Sequence, residues 1–389
     1  MRSMKSVNKI YLLILGLLFS CEEPYTPVYD PGDTAPILII EGYIDMSGDS
    51  RFKLAQTVPL NAIESTTPVK TAVLAVESEN NQNYTLTGTS ATGEYTIRHP
   101  ALSMSTRYRL RVKVAGKEYL SEWVTPYATS AITEIERERT DDGMELFVST
   151  VNGNDNSRYY RWEFEETWKF SAKYVSLLVF DGTEVRLRTP EENISMCFRQ
   201  EKSSDILIAT TEKLSDNVVS KQKIGFIPNL SEKLMYRYSI LVKQYSLSKE
   251  AYLFWNILKK NSESVGDIFG SMPSELKGNM HNVANSSEPV IAMIEASLPS
   301  QKRIYFDSQN IRPPWPTYLP FYIGCESEKV TVGNAANLFR TNPGYIPTYE
   351  IFENEASAYP THYAYTIKRC TECSLRGFLN APDFWTDND

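Results

Sequence analysis

From residue 37 onward, apolar and polar positions alternate in short runs, the signature of strands that bury one face. Residues 37–44 (ILIIEGYI) form a β-branched run between turn residues and predict a buried strand. Alternating segments follow at 51–58, 69–77, 84–88, 94–98, 108–114 and 118–125. Turn signals such as Ser47-Gly48-Asp49 and Ala115-Gly116-Lys117 separate them. In 108–114, Tyr108, Leu110, Val112 and Val114 take every second position, with Arg109, Arg111 and Lys113 between them. Strands at this spacing predict an immunoglobulin-like β-sandwich over residues 37–126.

A second strand series starts near Ile132 and continues through 144–150, 159–170, 175–180, 206–210, 223–227 and 236–244. One stretch changes period. Leu247, Ala251, Phe254 or Trp255, and Leu258 recur at helical spacing, with Lys249, Glu250, Lys259 and Lys260 opposite. This predicts one amphipathic helix near 247–262 packed on the second sheet. Strands follow near 289–296 and 302–306. An extended, proline-braced segment over 312–320 then carries Pro313, Pro314, Pro316 and Pro320. The fold class is therefore mainly β. The N-terminal sandwich is followed by a second, larger β-sandwich-like domain over 127–389, with one inserted helix.

The amino terminus has a different logic. Arg2, Lys5 and Lys9 precede an apolar run from Ile10 to Phe19, too short for a permanent span of about 20 residues but fit for a signal-peptide core. The run ends in Leu18-Phe19-Ser20-Cys21, which resembles a bacterial lipobox. That resemblance implies a signal peptide over 1–20 and lipidation of Cys21. Two or more acyl chains anchor a protein stably, since each buried CH2 contributes about 0.8 kcal/mol. Glu22 and Glu23 follow, similar to the export signal of surface lipoproteins in the Bacteroidetes. Residues 21–36, acidic and Pro-rich, read as a tether.

The net charge of -8 argues against nucleic acid as a partner, because phosphate binding needs a basic footprint. Beyond Cys21 there are four cysteines: Cys197, Cys325, Cys370 and Cys373. In an exported chain an even count points to disulfides. The favoured pairing joins each of Cys370 and Cys373 to Cys197 or Cys325, tying the C-terminal segment to the second domain, with the connectivity open. A redox-active Cys370–Cys373 pair and a zinc site are the weaker readings, since neither a thioredoxin-like pattern nor a second CxxC accompanies the motif.

No common nucleophile, zinc-protease or phosphate-loop motif occurs in the sequence. The three histidines His99, His281 and His362 read as solvent-exposed and structural. Glu163, Glu165 and Glu166 lie near Trp162 and Trp168. Alternation assigns Trp162, Phe164 and Trp168 to a core face, with Glu163 and Glu165 on a wet one. The oxygen-rich loops Asp45–Asp49 and Asn152–Asn156 lack the spacing of a helix–loop–helix calcium site and read as turns. No metal or cofactor is expected. The candidate ligand-binding surface is the aromatic cluster Trp315, Tyr318, Phe321 and Tyr322, because rigid rings bind sugars or peptides at low entropic cost.

The chain resembles the Bacteroidetes lipoproteins grouped as domain of unknown function 4249. The carrying residues include Cys21-Glu22-Glu23-Pro24-Tyr25, Ile40-Glu41-Gly42-Tyr43-Ile44 and Tyr159-Tyr160-Arg161-Trp162. The most specific stretches are 238–245 (YSILVKQY) and 248–255 (SKEAYLFW), with Cys370-Thr371-Glu372-Cys373 near the end. The resemblance implies an outer-membrane lipoprotein associated with a TonB-dependent transporter, and no defined reaction. The expected function is that of a non-catalytic, outward-facing accessory binding a glycan or peptide ligand. An extracellular glycan or peptide hydrolase and an adhesion or scaffold module are the alternatives.

Overall fold

The computed structural model describes residues 36–58, 62, 66–151, 157–263, 276 and 278–386. The leader, the tether up to residue 35, Cys21 and the loop Asn152–Asn156 lie outside the described residues. Among the described residues no helix is long and apolar enough to cross a membrane.

Strict alternation produces two β-sandwiches with one shared strand order. In the first, Leu38–Gly42, Ser50–Thr57 and Glu94–Ile97 form one sheet. Asn83–Thr89, Thr71–Ser78, Tyr108–Val114 and Lys117–Ser121 form the other. Their inward positions, among them Ile40, Phe52, Leu54, Leu74, Tyr95, Leu110 and Val112, close one core. In the second, Ile132–Arg139, Gly143–Thr150 and Val219–Pro228 face a larger sheet. That sheet runs Met196–Lys202, Tyr159–Ser171, Arg237–Leu247 and Ser300–Asp307, with Leu207–Thr210 continuing its outer edge beside Tyr159–Trp162. Three strands against four, in this order, is an immunoglobulin-like sandwich in both cases.

The connection between Leu247 and Ser300 departs from the simple chain order. It begins with helix α1, Lys249–Glu263, whose start is capped by Ser248 Oγ accepting from Ala251 N at 3.0 Å. Ala251 packs with Tyr245 and Leu247 against Tyr43, Tyr159 and Trp255. The chain then returns to the first sandwich. Met280–Asn282 pairs with Lys117–Ser121 at the edge of one sheet, and Val290–Ala292 pairs in parallel with Leu38–Gly42 at the edge of the other sheet. The first sandwich is thus completed by strands from beyond residue 126, which sequence order alone does not reveal. At the junction, Ile44–Asp45, Ala296–Leu298 and Tyr127–Ala128 form a small parallel sheet.

The C-terminal part adds a third small core. Strands Glu328–Thr331, Tyr345–Ile351 and His362–Ile367 carry helix α2, Val332–Thr341. Ala335 and Phe339 of α2 pack with Tyr363, Tyr365 and Leu178. Two disulfides fasten this part: Cys197–Cys373 and Cys325–Cys370. Cys370 and Cys373 therefore each bond Cys325 or Cys197 rather than each other, the favoured of the pairings that the cysteine count left open.

Candidate functional site

A cleft of about 1080 Å³ lies between the two sandwiches. Its first wall is the outward face of the sheet carrying residues 38–42, 50–57 and 94–97. Alternation that sends Phe52, Leu54 and Tyr95 inward turns Arg51, Lys53 and Glu94 outward, and the register places Glu41, Lys53 and Glu94 side by side. Gly42 sits at φ 137° where this strand bends, and a Cβ there would collide with the Arg51 carbonyl oxygen. The second wall combines Phe254, Trp255 and Leu258 of α1 with Arg161, Glu163 and residues 202–207 of the second sandwich.

Arg161 is the best-held group in this cleft. Its guanidinium lies 4.6 Å from the Tyr245 ring centroid and 4.5 Å from that of Trp255, while Nη1 meets Glu163 Oε1 at 2.5 Å. The Tyr245 hydroxyl donates to Glu163 Oε2 at 3.1 Å, and the Tyr43 ring stands edge-on to Tyr245 at 5.0 Å. Burial works to raise the Glu163 pKa, but the charge and hydrogen bonds of Arg161, with the Tyr245 hydroxyl, outweigh it and hold the carboxyl below its usual range. Burial, reinforced by the neighbouring carboxylates Glu163 and Asp45, pushes the Tyr245 and Tyr43 phenols well above theirs. The result is a fixed cation and anion between neutral phenols.

Glu295 sits behind this cluster at the junction. Its Oε1 accepts from Ser248 N at 2.9 Å, and its carbonyl oxygen accepts from Ile44 N at 2.8 Å. Burial raises its carboxyl pKa to about 7, opposed by the Ser248 hydrogen bonds and the Arg161 charge. It therefore changes charge near neutrality.

The sequence candidates fall in several places. The aromatic cluster does not form one exposed surface. Trp315 (8% exposed) donates from Nε1 to Ser231 O at 3.1 Å, and Tyr322 (2% exposed) joins the second core. Tyr318 and Phe321, at 54% and 39%, remain on the surface. The first and last rings of the cluster, Trp315 and Tyr322, are thus core, and the two between them are not. His99 is buried rather than exposed: its Nε2 lies 2.7 Å from Ser50 Oγ and its Nδ1 2.8 Å from Pro100 O. His281 and His362 stand on strands.

Trp162, Phe164 and Trp168 are buried on one strand face, as alternation requires. Glu163 and Glu165 point the other way, but Glu163 lines the cleft rather than open solvent. Each of the three glutamates pairs with a cation: Glu163 with Arg161, Glu165 with Lys243, and Glu166 with Lys233. In the 45–49 turn, Asp45 Oδ1 accepts from both N and Oγ of Ser47, which makes it a turn-former. Sequence reasoning missed Arg161, Tyr245 and Trp255 as a unit; cation and ring spacing across two strands and a helix leaves no local signal.

A family model described as "Domain of unknown function (DUF4249)" matches residues 22–303. No curated protein matches the sequence. Among solved structures, a two-domain fibronectin type-III segment of chicken tenascin aligns at 10% identity and TM-score 0.17, covering 55% of this chain and 91% of that one. The first three fibronectin domains of chicken CNTN1 align at 9% identity and TM-score 0.18, covering 55% of this chain and 63% of that one.

Proposed function

The chain belongs to the family described as Domain of unknown function (DUF4249), and from that membership we propose a non-catalytic, lipid-anchored outer-membrane protein that holds a ligand in its interdomain cleft as accessory to a TonB-dependent nutrient transporter. The cleft is the observation that carries the reading. It is large enough for a ligand of drug size or more, and it combines apolar floor residues with a few fixed charges. Glu163 supports a holding role over proton transfer, because Arg161 and Tyr245 keep it ionised. The leader ending in Cys21, with Glu22 and Glu23 behind it, supports anchoring by acyl chains and an outward orientation.

Affinity purification of the protein from detergent-solubilised outer membranes tests the partnership. A TonB-dependent transporter is expected among the retained proteins, and its consistent absence would refute the reading. Mass spectrometry of the mature amino terminus tests the anchor, with acylated Cys21 expected and an unmodified terminus counting against it. Turnover of a glycan or peptide by the purified chain would move the assignment to a hydrolase. Cell or matrix binding without an uptake defect on deletion would move it to an adhesion module.

A further inference from the structure

A second hollow, of about 240 Å³, lies away from the cleft, where strands 159–171 and 196–202, the turn 231–233 and Tyr318–Pro320 meet Arg376. Five charged side chains line it, Lys233, Glu201, Arg199, Glu232 and Arg376, and the buried Glu166 behind Lys233 extends them into an alternating series of six. Glu166 meets Lys233 at 2.5 Å, Lys233 meets Glu201 at 3.1 Å, and Glu201 meets Arg199 at 2.9 Å. Arg199 lies 3.5 Å from Glu232, and Glu232 lies 2.7 Å from Arg376. Below them, Arg199 and Lys233 cover the Trp168 ring at 5.6 and 5.0 Å from its centroid. Trp168 Nε1 and Arg376 Nη1 are buried donors with no acceptor among the described residues. At the lip stands Tyr318, its ring exposed and its backbone N fixed to Leu230 O at 2.9 Å.

We propose that this hollow is a binding subsite for one neutral sugar unit of a glycan. Three features select that ligand class. The alternating charges cancel, so the wall attracts neither anions nor cations as such. Yet it presents carboxylate acceptors and guanidinium or ammonium donors in turn, and vicinal hydroxyls, which both donate and accept, match such a series. The volume has room for about eight water molecules at ~30 Å³ each, which also suits a single pyranose ring. Finally, the exposed Tyr318 ring offers a flat apolar face to the C–H face of a pyranose with little side-chain entropy to lose. The subsite is independent of the interdomain cleft and of any transporter partner.

Saturation-transfer NMR on the purified full chain tests the assignment. The probes are the methyl glycosides of glucose, galactose, mannose and N-acetylglucosamine, with glucuronate and glucosamine as charged controls. At least one neutral glycoside should receive saturation at its ring protons. Binding should weaken about tenfold in Tyr318→Ala and persist in Tyr318→Phe, which keeps the ring. Tyr318 is exposed, so both variants should unfold at the wild-type denaturant midpoint. Transfer to no neutral glycoside, transfer unchanged by Tyr318→Ala, or stronger transfer to a charged control than to every neutral probe would overturn the proposal.

Discussion

Replacing Glu295 by Gln gives the sharpest test of the junction. The carboxyl titrates near 7 in the folded chain because it is buried between α1 and the first sandwich. An unfolded Glu titrates near 4.3. The native state therefore binds the extra proton between these two values. Its stability is highest at the acid end and declines as pH rises from about 4.5 through about 7, because the unfolded chain releases the proton first. Integrated from pH 5 to pH 8, this amounts to about 2.5 kcal/mol of lost stability from the single group. Gln keeps the acceptor for Ser248 N and cannot ionise. Urea unfolding of the wild type and Glu295→Gln at both pH values reads the difference directly. The variant should gain about 2.5 kcal/mol relative to wild type on going from pH 5 to pH 8. Identical pH dependence in the two proteins would refute the argument and show that Glu295 is hydrated or paired in solution.

Other expectations follow from the packing. Gly278→Ala should cost about 1–3 kcal/mol in urea unfolding, because its Cβ would collide with the Ala292 carbonyl oxygen where the inserted strands meet the first sandwich. Cys197→Ser with Cys373→Ser should lower stability by about 2–5 kcal/mol and expose the C-terminal segment to limited proteolysis, since the bridge spans 176 residues. Unchanged protease resistance would show that packing alone holds that segment. Arg161→Lys should cost about 1–2 kcal/mol, because an ammonium cannot stack flat between Tyr245 and Trp255 as well as reach Glu163. Thermal unfolding would measure the loss.

Much of the strand framework was legible because alternation directly encodes which side chains are buried. Tyr108, Leu110 and Val112, and likewise Tyr160, Trp162 and Phe164, are inward in the structure. Helix α1 announced itself by its change of period. Alternation says nothing, however, about what lies against an outward face. Glu163 therefore read as solvated, although another domain and α1 stand opposite it. His99 was misjudged for a related reason: its partner Ser50 is distant in sequence and adjacent only once the sandwich closes. Helix α2 left little trace despite its amphipathic sequence, since it is only 10 residues long and buries only Ala335 and Phe339.

The strands Met280–Asn282 and Val290–Ala292, which extend one edge of each sheet of the first sandwich and meet each other there, also fix when that sandwich can finish folding. During synthesis or export, a nascent chain that has released only residues up to 126 carries a bare edge strand in each sheet, open to pairing with any passing polypeptide. Native closure must wait for residue 292 to emerge. A chain truncated after residue 126 should therefore aggregate or need a chaperone, even though its own seven sandwich strands are all present.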